Sequence, residues 1–399
     1  MTTTASEPRY ALSQSSWDDK EIAALQRVIE SGQYTMASET QAYERTFAEY
    51  LQVPHCVAVN SGSTANLLMV AALMYRKERP LQRGDEVIVP AVSWPTTYYP
   101  LDQYGLHLKF VDVDAETLNY NLDELEAAIT DRTRLVMVVN LLGNPNDFTR
   151  IREICDARGI EFIEDNCESL GARFEGRQCG THGIMGSFSG FFSHHISTME
   201  GGVICTADEE LYHILLCLRA HGWTRNLPKF NHVTGEKGED PFEESFNFVL
   251  PGYSVRPLEM SSAVGIEQIA KLPRLVRERR ENAARFLELM QEFPQFIVQR
   301  ELGESSWFGF SLIVRPGAEF DRPDVVRAFH AAGIECRPIV AGNFAKNPVM
   351  KWLDHEIHGV LSDADLIDQR GLFIGNREGD LSPELDVLAE TLRGCVSSG

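Results

Sequence analysis

The chain has 399 residues, enough for two or three domains and for a core that encloses a cleft. Its 58 acidic residues outnumber 37 basic ones, and the formal net charge of -21 excludes polyanion binding as the main task, with nucleic acid as a partner. Hydrophobic residues at 43% and charged residues at 24% are the proportions of a folded globular protein, not of a disordered chain.

The opening MTTTASEPRYALS has no basic segment leading into an apolar core, so no secretory leader is expected. The longest strongly apolar run, Leu67–Tyr75, is far short of a membrane span, so no membrane partner is expected either. The eight cysteines, at 56, 155, 167, 179, 205, 217, 336 and 395, form no CxxC pair. They read as packed thiols of a reducing cytoplasm, and neither a metal site nor a disulfide framework is expected.

In chain order, Trp17-Asp18-Asp19 precedes Ile22, Leu25, Val28 and Ile29, an apolar stripe at helical spacing that Gly32 ends. Residues 1–60 read as a helical entry. An alternation follows. Buried strands are predicted at 85–90, 108–112, 135–139 and 160–164, with helices at 64–76, 121–130 and 148–158 between them. That order implies an α/β fold with a mostly parallel sheet covered on both faces, and ligands held at the carboxyl ends of its strands. Residues 225–250 are a polar excursion rich in Gly, Pro and Asn. A helix is predicted over 258–293, kinked at Pro273. Strands at 307–314 and 334–339 around a helix at 322–332 predict a smaller C-terminal α/β domain.

Four segments carry residues suited to chemistry. Asn60-Ser61-Gly62-Ser63-Thr64-Ala65-Asn66 opens the apolar helix, where free backbone amides and the helix dipole suit a phosphate; a plain N-cap explains the same residues. Glu164-Asp165-Asn166-Cys167-Glu168-Ser169 ends a strand where an α/β sheet keeps its site; a salt-bridged or capping acid is the alternative. Ser187-Phe188-Ser189 leads to His194-His195 and then Gly201-Gly202, which suggests an imidazole held in a cleft to take and return a proton, or else a satisfied core histidine. Adjacent histidines diverge, so they do not suit one metal ion. Trp94, after the strand at 85–90, is placed to stack on a planar ligand or to fill the core.

In this order the segments resemble the fold type I enzymes of pyridoxal phosphate, within the DegT/DnrJ/EryC1/StrS sugar aminotransferase family. The resemblance runs through nearly the whole chain. It includes Pro90–Trp94 with Thr96–Pro100, Asn140–Pro145, Ser193–Ile196 with Thr198–Gly202, Ala220–Pro228, Gly303–Phe310 and Gly333–Pro338. It implies a large cofactor-binding domain over 1–255, entered by the N-terminal helices, and a connecting helix with a small domain over 256–399. Counting back from Gly201-Gly202, the family's Schiff-base lysine falls on His194 and the following Asn on His195. Loss of that lysine marks the family's 3-dehydratases. The implied activity is removal of the C3 hydroxyl of GDP-4-keto-6-deoxy-D-mannose, a step toward a 3,6-dideoxyhexose, with L-glutamate turning pyridoxal into pyridoxamine phosphate and ammonia released. A sugar-nucleotide aminotransferase and a non-catalytic cofactor-binding scaffold are the alternatives.

The likeness assigns catalysis to His194. Gly62, Ser63 and Ser189 are implied to bind the cofactor phosphate. Trp94 is implied to stack on the ring, Asp165 to pair with the ring nitrogen and Glu168 to face the ring hydroxyl. Ser254, in Gly252-Tyr253-Ser254-Val255-Arg256, takes the place of an Asn that reaches a neighbouring subunit's phosphate, which implies a homodimer with a shared site. Gly32, Gln33, Tyr34 and Thr35 lie where the family contacts sugar nucleotides. His221, Arg225, Arg256 and Arg337 are candidate cations for anionic substrates, and Glu335 is a further candidate contact. No cysteine follows Cys217 before residue 336, so no iron–sulfur cluster and no reductase partner are expected.

Overall fold

The computed structural model describes residues 8–397. Eight strands form the main sheet, in the spatial order His55–Val59, Gly202–Thr206, Gly186–Ser189, Glu161–Asp165, Thr133–Val139, Glu86–Pro90, His107–Val111 and His355–Ile357. Gly202–Thr206 alone runs against the rest. Past their first residues, Glu86, Thr133 and the exposed Arg134, the central strands are apolar and buried, as a sheet covered on both faces requires. Helices Gly62–Tyr75, Pro95–Gln103 and Glu209–Leu218 pack one face around Leu68, Val87, Phe110 and Leu215. Leu122–Ala128 and Phe148–Asp156 close the other around Ile88, Val136 and Phe162.

A second sheet, in the order Phe296–Val298, Gly309–Val314, Gly371–Gly375 and Cys336–Arg337, packs with helices Arg322–Ala332 and Ser382–Ser397 around Phe310, Phe329 and Leu388. One helix, Glu259–Met290, links the two regions and runs on through Pro273. Its first half packs on helices Asp19–Ser31 and Ser38–Leu51, and Phe286 stacks on Phe310 of the second sheet, ring centroids 4.2 Å apart.

Several expectations are corrected. The entry region includes the edge strand His55–Val59, and the first helix buries Glu21, Ala24 and Val28 while Ile22 and Ile29 face outward. The cause is electrostatic: Glu21 Oε2 accepts from Lys271 Nζ at 2.7 Å and Oε1 from Gln268 Nε2 at 2.7 Å, and this turns the helix face. The strand predicted over 334–339 shrinks to Cys336–Arg337, because Ile339 joins a different apolar cluster beside Val92 and Leu142. Last, His355–Ile357 extends the main sheet from within the C-terminal third, secured by Lys109 Nζ, which pairs with Glu86 at 2.8 Å and Glu356 at 2.7 Å.

Candidate active site

The carboxyl ends of the parallel strands converge on one cleft. His55–Val59 delivers Asn60-Ser61-Gly62, Glu86–Pro90 leads to Trp94, Thr133–Val139 leads to Leu142, Glu161–Asp165 ends in the acids, and Gly186–Ser189 ends in Ser189. Ser61 caps the helix with its side chain on the Thr64 amide, leaving the Gly62 and Ser63 amides without an acceptor among the described residues. The packing there tolerates only glycine: a Cβ on Gly62 would stand 2.7 Å from Ser189 Cβ and 2.8 Å from Cys167 Sγ. Ser63 is exposed and donates to Thr96 Oγ1 at 3.1 Å. Ser189 Oγ accepts from the Phe191 amide at 3.2 Å, which keeps its own proton free to donate.

Alternation along the strand sends the two acids to opposite faces. Glu164 is structural: it accepts the amides of Gly180 at 2.6 Å and Gly183 at 2.7 Å. Asp165 serves the cleft, with Oδ2 accepting from Asn66 Nδ2 and from Thr97 Oγ1, both at 2.7 Å. Two residues with no role read from sequence thus orient it. Glu168, half-buried, accepts the Leu142 amide at 3.1 Å; burial first, and then the charge of Asp165, push its carboxyl up to about 7.

His194 lies over this group. Burial pulls its imidazole down to about 4, the nearby Asp165 carboxylate opposes the shift, and the backbones of Ser189 and Cys167 are within its reach. Its Nδ1 is enclosed and has no hydrogen-bond partner among the described residues. Phe308 meets the ring edge-on, centroids 5.2 Å apart at 85°. His195 turns away into the core, its Nε2 within 3.1 Å of the Ser306 carbonyl. Trp94 is not a core residue: it is 57% exposed at the start of helix Pro95–Gln103, and its carbonyl accepts the Thr97 amide.

The remaining predicted residues form two further groups. In one, Thr35 Oγ1 lies 3.4 Å from the Pro257 carbonyl, and the Glu259 amide donates to the Tyr34 carbonyl, which sets Gly32–Thr35 beside Arg256 and the exposed Ser254. The Val255 carbonyl accepts the Asn60 amide at 3.0 Å, joining this group to the start of the phosphate-type helix. Ala220 bridges Ser254, His221 packs on Trp223, and Arg225 lies over the Trp223 ring at 4.4 Å. Elsewhere, Glu335 Oε2 accepts the Leu12 amide at 2.9 Å, and Arg337 is exposed on the small sheet's edge strand. No group of three or more His, Cys, Asp or Glu among the described residues is arranged to hold a metal.

The sequence profile of the DegT/DnrJ/EryC1/StrS aminotransferase family matches residues 15–384. The chain belongs to that family. It is 57% identical over 385 residues, 96% of its length and 98% of the relative's, to GDP-4-keto-6-deoxy-D-mannose 3-dehydratase of Yersinia pseudotuberculosis. It superimposes with TM-score 0.95 on the Escherichia coli GDP-4-keto-6-deoxy-D-mannose 3-dehydratase with bound hydrated pyridoxal phosphate, at 55% identity, covering 97% of this chain and all of that one. A structure of GDP-4-keto-6-deoxymannose 3-dehydratase with a trapped pyridoxal phosphate–glutamate geminal diamine matches equally, at TM-score 0.95 and 55% identity over 96% of this chain and all of that one.

Proposed function

We propose that the chain is a pyridoxal/pyridoxamine phosphate-dependent 3-dehydratase. It removes the C3 hydroxyl of GDP-4-keto-6-deoxy-D-mannose, uses L-glutamate as amino donor, and yields GDP-4-keto-3,6-dideoxy-D-mannose and ammonia. The observation that carries this reading is an imidazole, His194, beside Asp165 and Ser189 in a cleft that no lysine enters. Lys109, Lys271 and Lys346 are tied up in ion pairs with acids elsewhere, and Lys351 lies over Trp352. Of the rest of the chain's lysines, Lys237 donates to the Arg225 and Leu227 carbonyls at 3.2 Å, and Lys20, Lys77 and Lys229 make no contact with His194, Asp165 or Ser189 among the described residues.

The residues present fit the cofactor. Two unclaimed amides at a helix N-terminus, beside a position where only hydrogen fits, make a phosphate cradle from Gly62 and Ser63, with the Ser189 hydroxyl as a further donor. When bound, the cofactor would supply an amine for the sugar's C4 ketone and a conjugated ring that stores the electrons of a broken C–H bond and gives them up as the hydroxyl leaves C3. Asp165 offers its carboxylate to the protonated ring nitrogen, oriented by Asn66 and Thr97. Trp94 covers the ring, and Glu168 shares a proton with the ring hydroxyl. His194, neutral at neutral pH, would take onto an imidazole nitrogen the proton of the C–H bond broken beside the amine and return it to the departing hydroxyl, with Asp165 stabilising the imidazolium between the two events. An imidazole moves protons but cannot tether the cofactor as an amine does.

Gly32, Gln33, Tyr34 and Thr35 contact the sugar nucleotide, His221, Arg225, Arg256 and Arg337 meet the anionic groups of substrate and glutamate, and Glu335 touches substrate from the small sheet's edge. The enzyme works as a homodimer in which Ser254 reaches the partner's phosphate site. Eight unpaired thiols support a cytoplasmic location. Because glutamate supplies the amine, the reaction calls for neither an iron–sulfur cluster nor a reductase. The test is mass spectrometry of the sugar after turnover with cofactor, glutamate and GDP-4-keto-6-deoxy-D-mannose. Loss of one oxygen at C3, matched by free ammonia, is the expected product. A stable amino sugar that keeps its C3 hydroxyl means an aminotransferase, and no 2-oxoglutarate means a non-catalytic protein.

A further inference from the structure

We infer that Arg279, on the helix Glu259–Met290, is a positioning residue for His194: it fixes Phe308 against the imidazole and holds an unpaired positive charge behind it. Arg279 is buried, and its Nη1 donates to the Phe308 carbonyl at 3.2 Å and to the Asn376 carbonyl. It has no carboxylate at ion-pair distance among the described residues, and its Nε is enclosed without a partner. A buried guanidinium held only by carbonyls is costly to keep, and packing alone would be served as well by an apolar side chain of the same length. Asn376 closes the unit: its Nδ2 donates to the Arg279 carbonyl at 3.0 Å and the Trp307 carbonyl at 2.9 Å.

The supported element is the segment Ser305-Ser306-Trp307-Phe308, which forms the wall behind both histidines. Trp307, 2% exposed, sits in the left-handed region at φ 49°, a strained state for a bulky residue that the surroundings must enforce. Gly143 allows the close approach, since a Cβ there would lie 2.5 Å from the Trp307 nitrogen. Phe308 donates its amide to the Leu142 carbonyl at 3.1 Å, one peptide from the amide that holds Glu168. Its ring then sits edge-on to His194 and tilted against His195, centroids 5.2 and 5.7 Å away. The charged and titratable groups facing His194 are Asp165 and Cys167 from the acid turn, His195 beside it in the chain and Arg279 from the helix; Arg280 faces His195, and Glu378 faces Arg279. Arg279 opposes protonation of both histidines, and Asp165 favours it for His194. The cation thus keeps the imidazole in its basic form while the aromatic wall limits its rotation.

This inference rests on His194 being the proton carrier, and its test reads the imidazole directly, so it is separate from the product analysis. In holoenzyme with nitrogen-15-labelled histidine, the His194 midpoint is followed by NMR alongside the pH profile of kcat. Arg279→Gln, which keeps a donor for the carbonyls, is expected to raise the midpoint by about one pH unit and move the acid limb of kcat with it. Arg279→Lys, which keeps the charge, is expected to restore both. A Gln variant with the wild-type midpoint, or a Lys variant shifted as far as Gln, overturns the electrostatic part. Phe308→Leu covers the case in which Arg279→Gln does not fold: kcat is expected to fall about tenfold with KM and midpoint unchanged. Full kcat in Phe308→Leu overturns the positioning part.

Discussion

Glu168 and His194 share one cleft, and the same loss of solvent moves their protonation in opposite directions, because burial disfavours whichever form is charged. For Glu168 the consequence is measurable. Its carboxyl rises from an ordinary 4.5 to about 7, so the folded state holds its proton over a range in which the unfolded chain has lost it. The stabilisation from this group is complete below about pH 4.5 and is lost as pH rises through 7. Glu168→Gln keeps an acceptor for the Leu142 amide and removes the titration. In cofactor-free protein, the stability of this variant relative to wild type is expected to rise by about 2 kcal/mol between pH 5 and pH 8, a value reduced for the partial exposure of the side chain. Urea titrations at the two pH values measure it; a constant difference sinks the assignment. At this scale the sequence exposed the polar residues of the cleft, because their type and their place at strand ends are local properties. Asn66, Thr97, Phe308 and Arg279 were not legible in their roles, since what each does depends on a neighbour dozens to hundreds of positions away.

Among the elements, the helix Gly62–Tyr75 stands out because its first turn is both a structural joint and half of the phosphate cradle. The joint is tight. Adding one methyl at Gly62 drives Cβ into Ser189 and Cys167, and Ser189 belongs to a strand paired on one side with Gly202–Thr206. Gly202 in that strand is equally confined, since a Cβ there would sit 2.2 Å from the Ser61 carbonyl oxygen. Gly62→Ala is therefore expected to displace the helix start and to weaken pyridoxal phosphate binding by about a hundredfold, while the fold survives because the rest of the helix is untouched. Equilibrium titration by cofactor absorbance gives the affinity, and circular dichroism checks the fold. Undiminished affinity would mean that the cradle is elsewhere. Gly and small hydroxyl residues before an apolar run announced this element plainly. The edge strands were not announced. His55–Val59 is short and follows a helix directly, and His355–Ile357 has no strand-like pattern at all. Lys109 pairs with Glu356 there, and that is a tertiary event.

For the whole molecule, the misread phase of the first helix and the cleft's surroundings point the same way. Ile22 and Ile29 face outward, and Tyr34, Trp94, Phe192, Phe246 and Phe248 are more than half exposed. If the chain pairs with a second copy, as proposed above, these side chains are candidates for the covered surface. If the site is shared, Ser254 and His194 of one protomer serve different clefts, and this separates a shared site from two private ones. Ser254→Glu sets a carboxylate against the phosphate in the partner's cleft, and His194→Gln removes the base from its own. Each variant homodimer is expected to be inactive. After unfolding and refolding an equal mixture, half of the dimers carry one altered protomer of each kind. In such a dimer both lesions fall in the same cleft and the other cleft is intact, so activity is expected to return to about a quarter of wild type. With private sites every cleft has one lesion and nothing returns. Turnover of the mixture against its parents decides, with sedimentation equilibrium fixing the assembly at twice 44.8 kDa.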